Sequence, residues 1–269
     1  MLVPRVDNRK HFTALLLALV ALAWLALWAW GESPYGRFLS HEELGEVEFG
    51  LNTGSLGLTL VFVAGWTVMT VAMMLPTSLP MITMFQKVVS RRDDRVLLWL
   101  LLLAGYIAVW AVFGVAAHTG DRFIHAGVQQ FHWLDDRAWA IGGLTLVGAG
   151  IYQFTPLKYM CLDKCRSPLS FITSHWSGKD QRSSAFRLGI NHGIFCVGCC
   201  WSLMLLMFAL GVGSVGWMLL LGAVMAIEKN MPWGKRLSAP LGIALLVAGL
   251  AVLFISTPEA CAHNITCGT

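Results

Sequence analysis

The sequence predicts an all-α integral membrane protein with about seven transmembrane helices, its N-terminus in the cytoplasm and its C-terminus outside. Hydrophobic residues make up 57% of the 269 positions and charged residues only 13%, whereas soluble domains usually carry about 25% charged residues. Several uncharged runs approach the ~20 residues that cross a ~30 Å hydrocarbon layer. Such runs form helices because a helix satisfies its own backbone groups in lipid, and the alternating pattern of membrane β-strands is absent.

The distribution of basic residues supports this topology. The candidate spans lie at about residues 13–30, 57–80, 96–117, 138–155, 188–210, 214–229 and 239–256. With these spans, only three of the 19 basic residues face outside: Arg37, Arg122 and Arg137. This asymmetry is what the positive-inside rule requires. The sequence therefore predicts one polytopic helical membrane domain over residues 1–256 and a short external tail over 257–269, with the bilayer rather than nucleic acid as the partner of its basic loops.

The first two spans carry local signals. The first follows Arg9 and Lys10 and ends without a small-residue cleavage site, so it is predicted to be an uncleaved anchor rather than a signal peptide. The second contains Pro76 and Pro80 within a methionine-rich stretch. Each proline removes a backbone donor, so the helix is predicted to kink or break there. Broken spans occur at packing kinks and at transport or binding sites, and the pattern leaves both interpretations open.

The outer segment 118–137 contains a possible second metal site: His118, Asp121, His125 and His132. On a continuous helix the first three share one face, and the three histidines recur every seven residues. Imidazole and carboxylate ligands suit Cu(II) or Zn(II). Two glycines weaken the helix propensity of the segment, which leaves a solvated or interfacial amphipathic segment as the alternative.

The most informative stretch lies in the fifth span, where one histidine and three cysteines fall at i, i+4, i+7 and i+8 and so form one stripe of a helix. Two further cysteines follow the fourth span, and both groups flank the same cytoplasmic loop. The predicted inner metal layer consists of Cys161, Cys165, His192, Cys196, Cys199 and Cys200. Sulfur with imidazole favours copper, with zinc or iron as alternatives, over magnesium or calcium. Thiol–disulfide redox chemistry and simple packing of small apolar thiols are the competing interpretations.

Other soft or charged groups extend this layer. The possible path or accessory ligands are Met73, Met74, Met204 and Glu228. Thioethers bind Cu(I), although methionine is also ordinary core filler. Because a carboxylate in a membrane is costly unless it is paired, Glu228 is predicted to be functional, to pair with Lys229 or Arg236, or to lie in the solvated interface.

The remaining two cysteines, Cys261 and Cys267, lie in the external tail. Oxidation is permitted outside the cytoplasm, so the sequence predicts a small disulfide between them. The five inner cysteines face a reducing compartment, which favours metal binding or redox cycling over a structural disulfide.

These motifs resemble a bacterial family of predicted metal-binding integral membrane proteins. The resemblance covers roughly residues 60–250 and is carried by Ala72-Met73-Met74-Leu75-Pro76, by Cys161 with Cys165-Arg166-Ser167-Pro168, by His192-Gly193 with Cys196, and by Gly198-Cys199-Cys200-Trp201. It implies a multi-pass protein of the bacterial inner (plasma) membrane, in which the external C-terminus predicted from the charge distribution is periplasmic. It implies association with a metal but no settled reaction.

Three functions follow as hypotheses. The leading one is a copper-binding inner-membrane protein that acts in metal transport or in metallation of a partner, with Cu(I) held by the inner Cys/His layer. The second is a membrane thiol–quinone oxidoreductase, which requires two cysteines that form a disulfide. The third is an accessory subunit of a larger membrane metalloenzyme such as a monooxygenase. The expected partners are the lipid bilayer, a metal ion, and a larger membrane complex or periplasmic protein, and whether the protein is an enzyme stays open.

Overall fold

The computed structural model describes residues 8–31, 53–130, 138–176, 180–210 and 215–255. Over these ranges the chain forms ten α-helices and no strand, which confirms the all-helical prediction for this part of the chain. The helices are α1 (Asn8–Gly31), α2 (Thr53–Thr77), α3 (Leu79–Val89), α4 (Arg95–Gln130), α5 (Ala138–Tyr152), α6 (Pro156–Arg166), α7 (Pro168–His175), α8 (Gln181–Leu210), α9 (Val215–Asn230) and α10 (Ser238–Ile255), with a 3-10 turn at Gly234–Leu237.

Several helices are long and apolar enough to cross a membrane. Three qualify by themselves within the described ranges: Arg95–Ile124, Gln181–Met207 and Gly234–Ile255. Two bent pairs raise the number to five if each pair is one span: Phe62–Thr77 with Leu79–Val89, and Ala140–Tyr152 with Pro156–Arg166. The apolar part of α1, Leu16–Ala29, is shorter. The fold is therefore compatible with a membrane protein, while the seven spans and their orientation stay predictions.

The break predicted in the second span is present. The axes of α2 and α3 differ by 73°, with Pro76 in the last turn of α2 and Pro80 in the first turn of α3. Proline cannot donate a backbone hydrogen bond inside a helix but fits well at a helix start. A second bend of 64° separates α5 from α6, where Thr155 caps α6 by accepting a hydrogen bond from the backbone N–H of Lys158.

Helix α8 lies at the centre of the packing, against α4, α5, α6 and α9. Its crossing with α4 is close because glycine occupies both sides of the contact. A Cβ atom at Gly189 would collide with the backbone oxygen of Leu102, and one at Gly105 with that of Phe186. Small residues allow membrane helices to approach in this way. The central position of α8 buries the cysteine stripe that it carries.

Gly189→Ala is expected to lower the free energy of unfolding by about 1–3 kcal/mol, because the added methyl group meets backbone rather than a flexible side chain. Thermal unfolding in detergent should show a lower midpoint. Gly148→Ala in α5 is the matched control, since a Cβ atom there has nothing within 4 Å. Equal midpoints for the two variants would contradict the close α4–α8 contact.

Candidate metal site

The structure brings the two predicted cysteine groups together. Cys199 on α8 and Cys165 on α6 place their Sγ atoms 3.9 Å apart. The two residues, here called the thiol pair, are 34 positions apart in the chain. Both cysteines are free thiols, and Cys199 is buried while Cys165 is partly buried. The bend between α5 and α6 folds α6 back against α8, which creates this contact.

The other two cysteines of the stripe, Cys196 and Cys200, lie beside the thiol pair. The Cys200 thiol donates to the backbone oxygen of Cys196 at 2.9 Å and lies 3.8 Å from the Met74 sulfur. The Cys199 thiol donates to the same backbone oxygen at 3.1 Å. Cys165 interacts electrostatically with both Cys196 and Cys199. The result is a group of four thiols and one thioether at the junction of α2, α6 and α8, in which Cys165 is partly buried and the others are buried.

Cys161 shares the hydrophobic core with these cysteines and interacts electrostatically with Cys199, but its thiol packs in a different local setting. It is buried between α6 and α8, where a Cβ atom at position 198 would lie 2.6 Å from its sulfur. Gly198 therefore makes the space that the Cys161 thiol fills. The Tyr152 hydroxyl donates to the backbone oxygen of Gly198, and the Tyr152 ring packs against Trp201. These contacts fix the part of α8 that carries the cysteines.

A chain of polar groups connects Cys196 to His192. The Tyr106 hydroxyl lies 3.2 Å from the Cys196 sulfur, and the Ser78 hydroxyl donates to Tyr106 at 3.2 Å. The His192 Nε2 atom lies 3.2 Å from the same serine oxygen. Its other nitrogen, Nδ1, is buried and has no hydrogen-bond partner in the described ranges. His192 is thus connected to Cys196 through the hydroxyl groups of Ser78 and Tyr106, and it does not contact the thiol pair directly.

Lys229 belongs to this site, although the sequence pattern did not predict it as a site residue. The Lys229 ammonium lies 3.0 Å from the Cys196 sulfur, 3.6 Å from the Cys200 sulfur and 3.7 Å from the Met74 sulfur. It also donates to the Thr77 hydroxyl at 3.3 Å. Ser78 and Tyr106 were missed as well. The available signal was a lysine in an apolar segment, which is costly to bury without a specific partner.

Glu228 has a partner different from those the sequence suggested. Its carboxylate accepts hydrogen bonds from the Lys158 ammonium at 2.7 Å and from the Ser238 hydroxyl at 2.6 Å. It does not pair with Lys229, because consecutive residues point about 100° apart around a helix. It is also only 2% exposed, so it is not solvated. We call Lys158 and Glu228 the buried ion pair, which ties α6 to α9 and α10.

The remaining predicted residues fall into three groups: two core methionines, one buried histidine, and residues that the structure does not describe. Met73 and Met204 are buried in the hydrophobic core that contains the cysteines. His118 is buried on α4 and stacks on Phe62 with ring centroids 4.5 Å apart, and α4 continues past Asp121 to Gln130. The side chain of His125 and the whole of His132, Cys261 and Cys267 lie outside the described residues, so the second metal site and the tail disulfide stay predictions.

The sulfur atoms of the site contact one another two at a time: Cys165 with Cys199, and Cys200 with Met74. Over the described ranges, no three His, Cys, Asp or Glu side chains are positioned to hold a metal ion together. The thiol pair, with further sulfurs behind it, is the soft-ligand group that the fold assembles. Thiolate and thioether ligands suit Cu(I), zinc and iron–sulfur clusters rather than magnesium or calcium.

A comparison with protein families finds a match for most of the chain. Residues 63–252 match a family named PpoB2 and described as copper chaperone. No curated protein and no solved structure matches the chain. The matched range contains the thiol pair, the other cysteines of the site, Lys229 and the buried ion pair, while the tail cysteines lie beyond it.

Proposed function

The chain belongs to the PpoB2 family of copper chaperones, and from this premise we propose that it holds Cu(I) at the thiol pair and passes it to a partner protein. The observation that carries the proposal is the 3.9 Å contact between Cys165 and Cys199. Two cysteines on separate helices reach this distance only through the tertiary fold. Thiolates are the ligands that favour Cu(I) over magnesium, calcium or manganese.

A chaperone must release its metal as well as bind it, and the surroundings of the thiol pair support both steps. Cys196, Cys200 and Met74 provide further sulfur ligands beside the pair. A Cu(I) ion can then move by ligand exchange, because it binds a new sulfur atom before it leaves the previous one. We infer that Cys165, which is less buried than Cys199, receives or gives up the ion at the cytoplasmic face. Met73 and Met204 are proposed to line its path, and membrane transport is the alternative use of the same ligands.

The test is the copper content of the full-length protein, purified in detergent under anaerobic, reducing conditions after growth with copper. We expect stoichiometric copper by mass spectrometry in the wild type and a loss of most of it in Cys165→Ser. The control is the double variant Cys261→Ser/Cys267→Ser, which removes two thiols predicted to be external and should keep its copper. A copper-free wild type would overturn the proposal.

The same contact favours a second candidate, the thiol–quinone oxidoreductase. A disulfide between Cys165 and Cys199 requires the two sulfur atoms to approach from 3.9 Å to about 2.05 Å. This function predicts a wild type without copper whose Cys165 and Cys199 become oxidised when a quinone is added and reduced again by dithiothreitol. The accessory-subunit hypothesis stays a prediction, to be tested by co-purification after mild solubilisation.

A further inference from the structure

The burial of the Lys229 ammonium beside the cysteines is not explained by copper binding to the thiol pair alone. Its side chain is only 6% exposed, although it lies at the end of α9, one residue before Asn230. Its neighbour Glu228 is already engaged by Lys158. In the described part of the chain, Lys229 has no carboxylate within ion-pair distance, and its contacts are three sulfurs and the Thr77 hydroxyl.

A buried ammonium is costly unless a nearby group compensates its charge. The neighbouring groups that can carry negative charge are the thiols and the Tyr106 hydroxyl, and thiols ionise more readily than phenols. All four thiols interact electrostatically with Lys229: Cys165, Cys196, Cys199 and Cys200. The ammonium is therefore positioned where it stabilises negative charge on sulfur. Because water is largely excluded, the interaction is stronger than it would be at the surface.

The net charge of a metal–thiolate unit depends on the metal. Two thiols that bind Cu(I) release their two protons to solvent, and the unit formed carries one net negative charge. Two thiolates with Zn(II) form a neutral unit. With Lys229 beside it, the copper unit becomes neutral overall, whereas the zinc unit is left with one uncompensated positive charge. Burial penalises the charged combination and not the neutral one.

We propose that Lys229 is the counter-ion of the copper site and makes the thiol pair selective for monovalent copper over divalent zinc. The inference rests on the proposed function. Thr77 supports it, because its hydroxyl contacts the ammonium at 3.3 Å and donates to the Met74 backbone oxygen at 2.8 Å. This contact holds Lys229 in place when the sulfurs turn to the metal.

The test measures two affinities for each variant of the full-length protein in detergent. Cu(I) affinity is measured by competition with bathocuproine disulfonate, and Zn(II) affinity by competition with 4-(2-pyridylazo)resorcinol. Lys229→Met is expected to weaken Cu(I) binding by about ten-fold or more. Zn(II) binding should stay within about three-fold of the wild type, because the neutral zinc unit leaves the same uncompensated charge that the metal-free site has. Lys229→Arg keeps the charge and should keep the preference for copper. Lys235→Met, at an exposed lysine, is the control and should change neither affinity.

A loss of Cu(I) affinity without a matching loss of Zn(II) affinity distinguishes a counter-ion from a merely structural residue, since a folding defect weakens both. If Lys229→Met does not fold, Lys229→Gln removes the charge while keeping a donor toward Thr77, and the same two affinities apply. Equal Cu(I) affinities in wild type and charge-free variant, a parallel loss for both metals, or tighter Cu(I) binding would overturn the inference. Failure of the wild type to bind Cu(I) at all would instead overturn the proposed function.

Discussion

Cys199→Ser is expected to lower the Cu(I) affinity of the protein by at least about 100-fold, or about 2.8 kcal/mol. Cys199 is the buried member of the thiol pair and lies 3.9 Å from Cys165. Serine keeps the size of the side chain but replaces soft sulfur with a hard hydroxyl oxygen, which Cu(I) binds poorly. Since the loss of residues that merely support a metal ligand already costs about 10–100-fold, loss of the ligand itself should reach at least the upper end.

Competition with bathocuproine disulfonate measures this change, and the control is Met207→Leu in the same helix. Met207 is buried in the core that surrounds the cysteines. Methionine and leucine have similar volumes, so this exchange should cost less than about 1.5 kcal/mol of stability and leave the copper affinity unchanged. A Cys199→Ser variant that binds Cu(I) within three-fold of the wild type would show that the thiol pair is not the site.

Glu228→Gln is expected to produce the largest loss of stability, about 3–5 kcal/mol, because it leaves the Lys158 ammonium buried without its counter-charge. Lys158 is 0% and Glu228 2% exposed, and the two groups are 2.7 Å apart. For a protein of this size the change corresponds to a decrease of roughly 6–20 °C in the midpoint of thermal unfolding. The loss should be visible in copper-free protein, since the buried ion pair joins helices rather than binding the metal.

The double variant Lys158→Met/Glu228→Leu tests the cause of this loss. It removes both charges, so it should be more stable than Glu228→Gln even though it changes two residues. Lys235→Met provides the surface control: Lys235 pairs with Asp163, but both side chains are about half exposed, and such pairs contribute only about 0–1 kcal/mol. A midpoint for Glu228→Gln within about 2 °C of the wild type would contradict the structural importance of the buried ion pair.

Much of the fold followed from local patterns. The long apolar runs predicted the helices, and the spacing of Pro76 and Pro80 predicted the break between α2 and α3. The period of the α-helix placed His192, Cys196, Cys199 and Cys200 on one stripe, and all four are buried. These properties depend on residues within a few turns of one another, so they can be deduced from sequence spacing alone.

The partners of Glu228 and Lys229, in contrast, could not be deduced from sequence spacing. As neighbours of opposite charge they suggested an ion pair, yet the helix directs Glu228 toward Lys158 and Lys229 toward the cysteine sulfurs. The roles of Tyr106 and Ser78 were likewise hidden, because Tyr106 lies on α4 and Ser78 at the break between α2 and α3, and both reach the site only through packing.

The sequence by itself determined that this chain is an apolar helical protein with a soft-ligand stripe, because hydropathy and helical period are local properties. Only the tertiary structure decided that Cys165 approaches Cys199, that Cys161 packs instead beside Gly198, and that a lysine rather than a glutamate adjoins the thiols. Those outcomes depend on the bend between α5 and α6 and on the rotation of α9 against α2 and α8. Such angles are set by long-range packing, which residue spacing does not encode.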